Sequence, residues 1–279
     1  MAAWRRLTFS VAESALEDLL TGLHEAGTLG AEVRGDRLDV FFPDTVDEAA
    51  LLDSLRQLMA DPGARLKLES SDAVADGFWH ERWMESLVPF EIGESFLVVP
   101  GPATPASTGG RRVIRLTPGR AFGTGEHATT RMCLNILERE VTAGCSLLDV
   151  GTGSGILAIG ARLMGAGQIV AIDTDPEAIA TASRNALIND SGDLMLVAGG
   201  LEAIRCGLRF DFVVANITGA DIVRLMKRLC VFATRRLILS GILCEEETEV
   251  VAAARSNGFD VTAREGGEWL ALSMNRVLA

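Results

Sequence analysis

The sequence predicts a two-domain α/β protein, in which a small α+β domain precedes a larger domain built on an open, mainly parallel sheet. Three observations carry this prediction. The chain has 279 residues, enough for two domains at about 100–200 residues each. Its first seventy residues follow the order β-α-β-β-α-β. From residue 145 onward, strand and helix patterns alternate until two strands end the chain without room for a helix between them.

The N-terminal segment contains four predicted strands and two predicted helices. A strand over LTFSV precedes the first helix, and each helix begins with a capping-box pattern, one starting at Ser10 and one at Thr45. Two strands lie between the helices, over residues 31–42, and RLKLE (65–69) forms the last strand. This order is that of a ferredoxin-like domain, a small sheet with helices on one face, which we assign to residues 1–72.

A linker helix over residues 73–90 is expected to join this domain to the larger one, which spans 91–279. The larger domain begins with a hairpin over FEIGESFLVVP and a strand over RRVIRL. Its sheet has seven predicted strands, the last two of which form a hairpin, so at least one of them runs antiparallel to its neighbour. The seven segments are SLLDV, QIVAID, DLMLVA, FDFVVANI, RRLILSGI, FDVTARE and EWLALSMNRV.

The composition excludes several classes of protein. With 26 basic and 38 acidic residues the net charge is −12, which argues against direct nucleic-acid binding and against an anionic membrane surface, and favours a basic partner. No apolar stretch is long enough to span a bilayer, and the N-terminus does not resemble a signal peptide. Five scattered cysteines and three scattered histidines indicate reduced thiols and no metal site. We therefore expect a cytoplasmic protein, and a monomer.

The segment LLDVGTGSGILAIGA (147–161) carries the sharpest chemical signal. A strand runs into Gly151-x-Gly153-x-Gly155 and then into a helix, an arrangement that lets the backbone approach a nucleotide-like ligand. A dinucleotide fingerprint requires a further glycine where this chain has Ile156, and together with the terminal hairpin this disfavours a nicotinamide-dependent oxidoreductase. Asp149, two residues before the first glycine, is instead typical of S-adenosylmethionine (SAM) methyltransferases.

Two further polar residues stand where strands end. Asp173 closes the next strand, 22 residues after Gly151, where a carboxylate can accept hydrogen bonds from both ribose hydroxyls. Asp175-Pro176-Glu177 directly after it is a helix start, so these two acids are expected to be structural. Asn216 closes strand FDFVVANI, also at the carboxyl edge where open α/β sheets bind ligands; the alternative for Asn216 is a cap of the following helix.

The whole set of segments resembles the ribosomal protein L11 methyltransferase (PrmA) family of class I SAM-dependent methyltransferases. The resemblance covers nearly the whole chain and rests on AFGTGEHATTRMCL, LLDVGTGSGILAIGA, VVANI, LSGIL and EWLALSMNR, with WHERWMESLVPFEIGESFLVVP resembling the linker and adjoining hairpin. The glycine loop is shared by most SAM-dependent methyltransferases, whereas FGTGEHATT with VVANI and SGIL is nearly diagnostic of this family. One departure is Thr218, where the family usually continues VANIL.

The resemblance implies a substrate-recognition domain, a linker and a methyltransferase domain that includes a cofactor-covering loop. It implies SAM as cofactor and lysine side chains and the N-terminal α-amine of ribosomal protein L11 as substrates. The implied cofactor-binding residues are Thr130, Asp149, Gly151, Gly153, Asp173 and Asn216. Asn216 and the loop 122–130 are expected to orient the substrate amine, no general base is assigned, and His127 is expected to form a hydrogen bond at a helix start.

Two other functions remain open from the sequence. The same catalytic domain could methylate lysines of another protein, as do related enzymes that act on an electron-transfer flavoprotein subunit, although the N-terminal domain argues against this. A non-catalytic SAM-binding module in ribosome assembly is the alternative from a different class. Residues 1–75 contain 7 basic and 14 acidic residues, a charge of −7 out of −12. The small domain is therefore a candidate docking surface for a basic protein.

Overall fold

The computed structural model describes residues 4–10, 30–34, 37–43, 46–47, 51, 67–74, 88–101, 104–105, 107–117, 125 and 127–277. The chain divides into two compact units, Met1–Trp83 and Met84–Ala279. The helices expected in the N-terminal domain, most of the linker helix and loop residues 118–124 lie outside the described residues. Within the described ranges, no helix is long and apolar enough to cross a membrane.

The N-terminal unit is a four-stranded antiparallel sheet. Its strands are β1 (Trp4–Ser10), β2 (Gly30–Arg34), β3 (Arg37–Pro43) and β4 (Lys67–Val74), in the order β2-β3-β1-β4. In β1 the fully buried Leu7 and Phe9 alternate with partly exposed residues, whereas β3 is buried continuously over residues 38–42. This strand order is the one that the ferredoxin-like prediction requires.

Strand β4 continues well past the predicted RLKLE. Its polar second half still pairs with β1, because Arg6 forms an ion pair with Asp72 at 2.8 Å and Arg5 donates a hydrogen bond to Ser71 at 3.2 Å. The expected linker start at residue 73 therefore falls inside a strand, and the expected linker end at residue 90 is the first residue of the next strand.

The second unit begins with a three-stranded sheet. Strands β5 (Phe90–Ile92) and β6 (Phe96–Pro100) form the predicted antiparallel hairpin, and β7 (Arg112–Leu116) pairs with β6 in parallel. The buried side chains of β6 and β7 pack with the first helices of the main sheet in one core. This small sheet is thereby part of the larger unit.

The main sheet has seven strands in the order β10-β9-β8-β11-β12-β14-β13. The strands are β8 (Leu147–Val150), β9 (Ile169–Asp173), β10 (Met195–Ala198), β11 (Phe210–Asn216), β12 (Ala233–Leu243), β13 (Phe259–Gly266) and β14 (Trp269–Arg276). The first five are parallel. Strand β14 lies antiparallel between β12 and β13, which confirms the predicted terminal hairpin.

Five helices accompany these strands: α1 (Ala128–Glu140), α2 (Ile156–Leu163), α3 (Pro176–Ile188), α4 (Gly219–Phe232) and α5 (Glu247–Arg255). Alternate residues of the central strands enter two separate cores, so that Phe212 and Val214 of β11 pack with α1 and α2, whereas Val213 and Ala215 pack with α4 and α5. These central strands are therefore buried on both faces, and their ends are their accessible part.

Candidate functional site

The carboxyl ends of the parallel strands meet at one edge of the sheet. The register sets Val150 beside Ile172 and Ala215, sets Asp173 beside Ala198, and sets Asn216 beside Ser240. A cavity of about 420 Å³ opens at this edge, within the usual size range of small-molecule sites. Of the residues expected to hold a cofactor, Gly151, Gly153, Asp173 and Asn216 line this cavity.

The glycine loop brings backbone to the cavity wall. Gly151 has φ = +74°, and both its N–H and that of Thr152 donate hydrogen bonds to the Ile172 carbonyl, at 2.9 and 3.0 Å. A Cβ at position 151 would lie 2.5 Å from Cγ2 of Ile217, so only glycine fits. The loop leads into α2, where the Ile156 N–H donates to Ser154 Oγ at 3.4 Å.

Asp149 lies behind this loop and not in the cavity wall. It is fully buried, and its Oδ2 accepts a hydrogen bond from Thr152 Oγ1 at 2.7 Å. Burial raises the pKa of Asp149 to about 6, against the lowering effect of the Thr152 hydrogen bond. The structure therefore places Asp149 where it supports the loop conformation.

Asp173 connects the loop to the next helix. Its Oδ2 accepts from the Gly153 N–H at 2.9 Å and its Oδ1 accepts from the Asp175 N–H at 3.0 Å. An ionised carboxylate has about four acceptor positions, so about two stay available on the cavity side. The predicted helix start is confirmed: Asp175 is the N-cap of α3 and accepts from the Glu177 N–H at 2.8 Å, with Pro176 in the first turn.

Asn216 and Thr130 are brought together although they are 86 residues apart. The Asn216 Nδ2 donates a long hydrogen bond of 3.4 Å to Oγ1 of Thr130, a fully buried residue in the first turn of α1. Thr130 thus lies behind Asn216 and does not line the cavity. Asn216 does not cap the following helix, because Thr218 is the N-cap of α4 and accepts from the Asp221 N–H. The departure from VANIL at Thr218 therefore has a structural reason.

His127 is the N-cap of α1, where its side chain accepts from the Thr129 N–H, as expected for a helix-start residue. Its ring also meets Trp269 edge to face, with 5.4 Å between centroids. Phe122, in the expected covering loop, lies outside the described residues.

The SGIL segment fixes the position of Asn216 from the other side. Ile217 N–H donates to the Ser240 carbonyl at 3.1 Å, directly before Gly241, which has φ = +82°. A Cβ at position 241 would lie 2.1 Å from the Ile217 carbonyl oxygen. Glycine at this position lets β12 pass close under the end of β11.

Part of the cavity was not predicted from the sequence. Gly199, Gly200, Leu201 and Glu202, which directly follow β10, line it, as do Asp221 and Arg224 at the start of α4. For the segment after β10, the pair Gly199-Gly200 at the end of a strand is the sequence pattern that could have indicated a ligand site. Asp221 and Arg224 belong to no local motif, since they are part of an ordinary amphipathic helix.

The charges around the cavity are mainly acidic. Asp173, Glu202 and Asp221 line it, Asp149 lies just behind the loop, and the one cation among its lining residues, Arg224, forms an ion pair with Asp221 at 2.6 Å. A cationic ligand is therefore favoured over an anionic one.

Comparison with known proteins agrees with this geometry. The family model described as ribosomal protein L11 methyltransferase (PrmA) matches residues 3–277. The protein belongs to this family. A ribosomal protein L11 methyltransferase of Geobacter sulfurreducens is 39% identical over 264 residues, covering 91% of this chain and 84% of the relative. One from Myxococcus xanthus is 32% identical over 288 residues, covering 97% and 98%.

The fold comparison gives the same family. A crystal structure of a ribosomal protein L11 methylase from Lactobacillus delbrueckii subsp. bulgaricus has a TM-score of 0.63 and 31% identity, and the match covers 68% of this chain and 99% of that one. Neither a flavoprotein-directed lysine methyltransferase nor a non-catalytic module is favoured by these matches. As a member of the family, the protein is a SAM-dependent methyltransferase with a class I fold.

The residues at the cavity fit that cofactor. Gly151 and Gly153 line the cavity without side chains, Asp173 keeps acceptor capacity for a diol, and the acidic surroundings suit a sulfonium cation.

Gly241→Ala tests whether the close approach of β12 to Ile217 positions the site. We expect lower SAM affinity and lower stability, because the new methyl group must displace the Ile217 carbonyl and with it Asn216. Gly258→Ala is the matched control, since Gly258 has φ = +81° and open space around it, so that only the left-handed backbone cost of about 1–2 kcal/mol applies. Calorimetric SAM titration measures the affinity, and thermal unfolding measures the stability, of each variant. Equal losses in the two variants would contradict the proposed contact.

The raised pKa of Asp149 predicts how the stability of the protein depends on pH. Its folded-state pKa of about 6 lies above the ordinary value of 3.8, so between these values the folded protein holds a proton that the unfolded chain has lost. Stability from this group therefore falls as pH rises from about 4 to 6, by about 3 kcal/mol, and is constant above that range. Asp149→Asn should gain stability relative to the unmodified protein across this interval in urea unfolding experiments. A difference between the two proteins that does not change with pH would refute the assignment.

Proposed function

We propose that this protein transfers methyl groups from SAM to amino groups of ribosomal protein L11, namely lysine side chains and the N-terminal α-amine. The observation that carries the proposal is the cavity that is lined both by Asp173, at the end of β9, and by Asn216, at the end of β11, on either side of β8. The family and the names of its relatives support L11 as the substrate, and the acidic surroundings support a cationic cofactor and a basic protein.

Four residues are proposed to contact the cofactor directly. Gly151 and Gly153 give it close backbone approach, Asp173 accepts from the two ribose hydroxyls, and Asn216 lies near the reacting end. Asp149 and Thr130 are proposed to position the cofactor-binding residues without contacting the cofactor: Asp149 accepts a hydrogen bond from Thr152 of the glycine loop, and Thr130 accepts one from Asn216. Gly199–Glu202 is proposed to border the adenine base, because this segment follows the strand next to the one that carries Asp173.

When bound, SAM supplies an activated methyl group for in-line displacement by a neutral amine. The protein supplies orientation, which can contribute up to about 7–11 kcal/mol. Since the Asn216 Nδ2 donates to Thr130, its Oδ1 is the end proposed to accept an N–H of the incoming amine. We assign no general base, because an α-amine, with a pKa near about 7.7–8.0, is partly neutral already and a desolvated lysine loses its proton more readily than in water.

Substrate binding and methyl transfer are proposed to take place on different parts of the chain. Residues 1–72 hold the substrate, residues 73–90 join the domains, and residues 91–279 bind SAM and carry out transfer. The charge of −7 in residues 1–75 supports docking of a basic ribosomal protein. We further propose that the enzyme acts as a monomer in the cytoplasm.

Methylation with labelled SAM tests this proposal. Purified L11 should incorporate label, and mass spectrometry should place it on lysines and on the N-terminal amine. Asp173→Ala should lower SAM affinity by at least about tenfold, equal to about 1.4 kcal/mol, because charge-assisted hydrogen bonds to the diol are lost. Asp175→Ala is the matched control: it removes a helix cap two residues away and should lower stability but not affinity.

Three results would contradict the proposal. Label on a different protein of a cell extract but not on L11 would exclude the substrate. Absence of transfer with intact SAM binding would indicate a non-catalytic module. Unchanged SAM affinity in Asp173→Ala would exclude the assigned ribose contact.

A further inference from the structure

A second cavity lies at the opposite edge of the main sheet. It measures about 430 Å³ and is found where α4 ends at Phe232, β12 begins at Ala233 and β14 ends at Arg276. These are the strand ends farthest from Asn216 and Ser240. The cavity thus shares no lining residue with the SAM site.

This cavity, which we call the cationic groove, is lined by Arg209, Lys227 and Arg276, and none of the described residues that line it is a carboxylate. Such a cluster is unusual in a chain of charge −12, since ten arginines in the described part of the chain form ion pairs with acidic side chains. Within the same described residues, none of the three groove cations has a carboxylate partner. Thr234 and Asn257 also line the groove; the Thr234 hydroxyl donates to the Phe210 carbonyl at 3.0 Å, and the Asn257 Nδ2 donates one of its two N–H groups to the Ala253 carbonyl at 2.8 Å.

Arg276 is held in a fixed position in the groove. Its Nη2 donates to the carbonyls of Cys230 and Ala233, at 2.5 and 2.6 Å, and its guanidinium lies over the Phe259 ring at 4.7 Å. Because these contacts already order the side chain, a ligand that binds its other N–H groups loses little further conformational entropy.

A structural role explains only part of this cluster. The carbonyl end of α4 carries about half a negative charge, which a single cation offsets, and Arg276 is the residue that contacts it. Arg209 and Lys227 are exposed and add two further charges, which the helix end does not require. The groove therefore keeps a local positive charge.

We propose that the cationic groove binds a phosphate group, carried either by RNA or by a free nucleotide. Guanidinium, ammonium and amide donors around one cavity are groups that bind phosphate oxygens in proteins. The proposal is independent of the proposed methylation and revises the expectation drawn from net charge. Total charge predicts the average field around a protein, whereas a bound phosphate responds to the nearest few side chains.

Fluorescence anisotropy with a short labelled single-stranded RNA at about 50 mM salt tests the groove. The unmodified protein should bind, with a logarithmic salt dependence whose slope is about −0.7 for each phosphate that the groove neutralises. Lys227→Glu and Arg209→Glu should each weaken binding at least fivefold and reduce the slope. Arg184→Glu, an exposed helix position outside the groove with the same change of charge, is the control and should change affinity less than twofold. SAM binding should be retained in all three variants, which shows that they fold.

Competition separates the two sources of phosphate. Displacement of the RNA by ATP or inorganic phosphate assigns the groove to free phosphate compounds, and resistance to both assigns it to the RNA backbone. If the unmodified protein binds neither RNA nor ATP at low salt, the proposal is wrong. It is also wrong if the groove variants bind as tightly as the Arg184→Glu control.

Discussion

The in-register pairing of five parallel strands is the constraint on which the site depends. Parallel strands present their carboxyl ends at one edge, and here the register leaves Val150, Asp173, Ala198, Asn216 and Ser240 side by side. A shift of one residue in any pair would turn the polar end residues into the apolar core. The close pass of Gly241 beneath Ile217 completes this edge, because a side chain there would force β11 and β12 apart.

A layer of buried polar residues keeps the cavity wall in place. Asp149 holds the glycine loop through Thr152, Thr130 holds the amide of Asn216, and Asp173 holds both the loop and the start of α3 while facing the cavity. Each contact joins residues from different elements, so the wall is fixed before a ligand arrives. Such preorganisation is what orientation-based catalysis requires.

Local patterns in the sequence were sufficient for the order of strands and helices along the chain, the terminal hairpin and the glycine loop, because alternation, capping residues and glycines act over a few positions. They could not show that Thr130 and Asp149 lie behind the wall, since this depends on contacts between distant segments. The polar half of β4 was missed because cross-strand partners on β1 stabilise it. The cationic groove was missed because net charge contains no information on where charges lie.

We propose that binding and transfer are divided between two strand ends on either side of β8, with Asp173 holding the cofactor and Asn216 orienting the amine. Parallel measurement of SAM affinity and of single-turnover methylation of L11 by Asn216→Ala tests it most directly. We expect the transfer rate to fall at least about a hundredfold, equal to about 2.7 kcal/mol, and SAM affinity to change less than about fivefold, or about 1 kcal/mol. A loss of affinity as large as the loss of rate would contradict it.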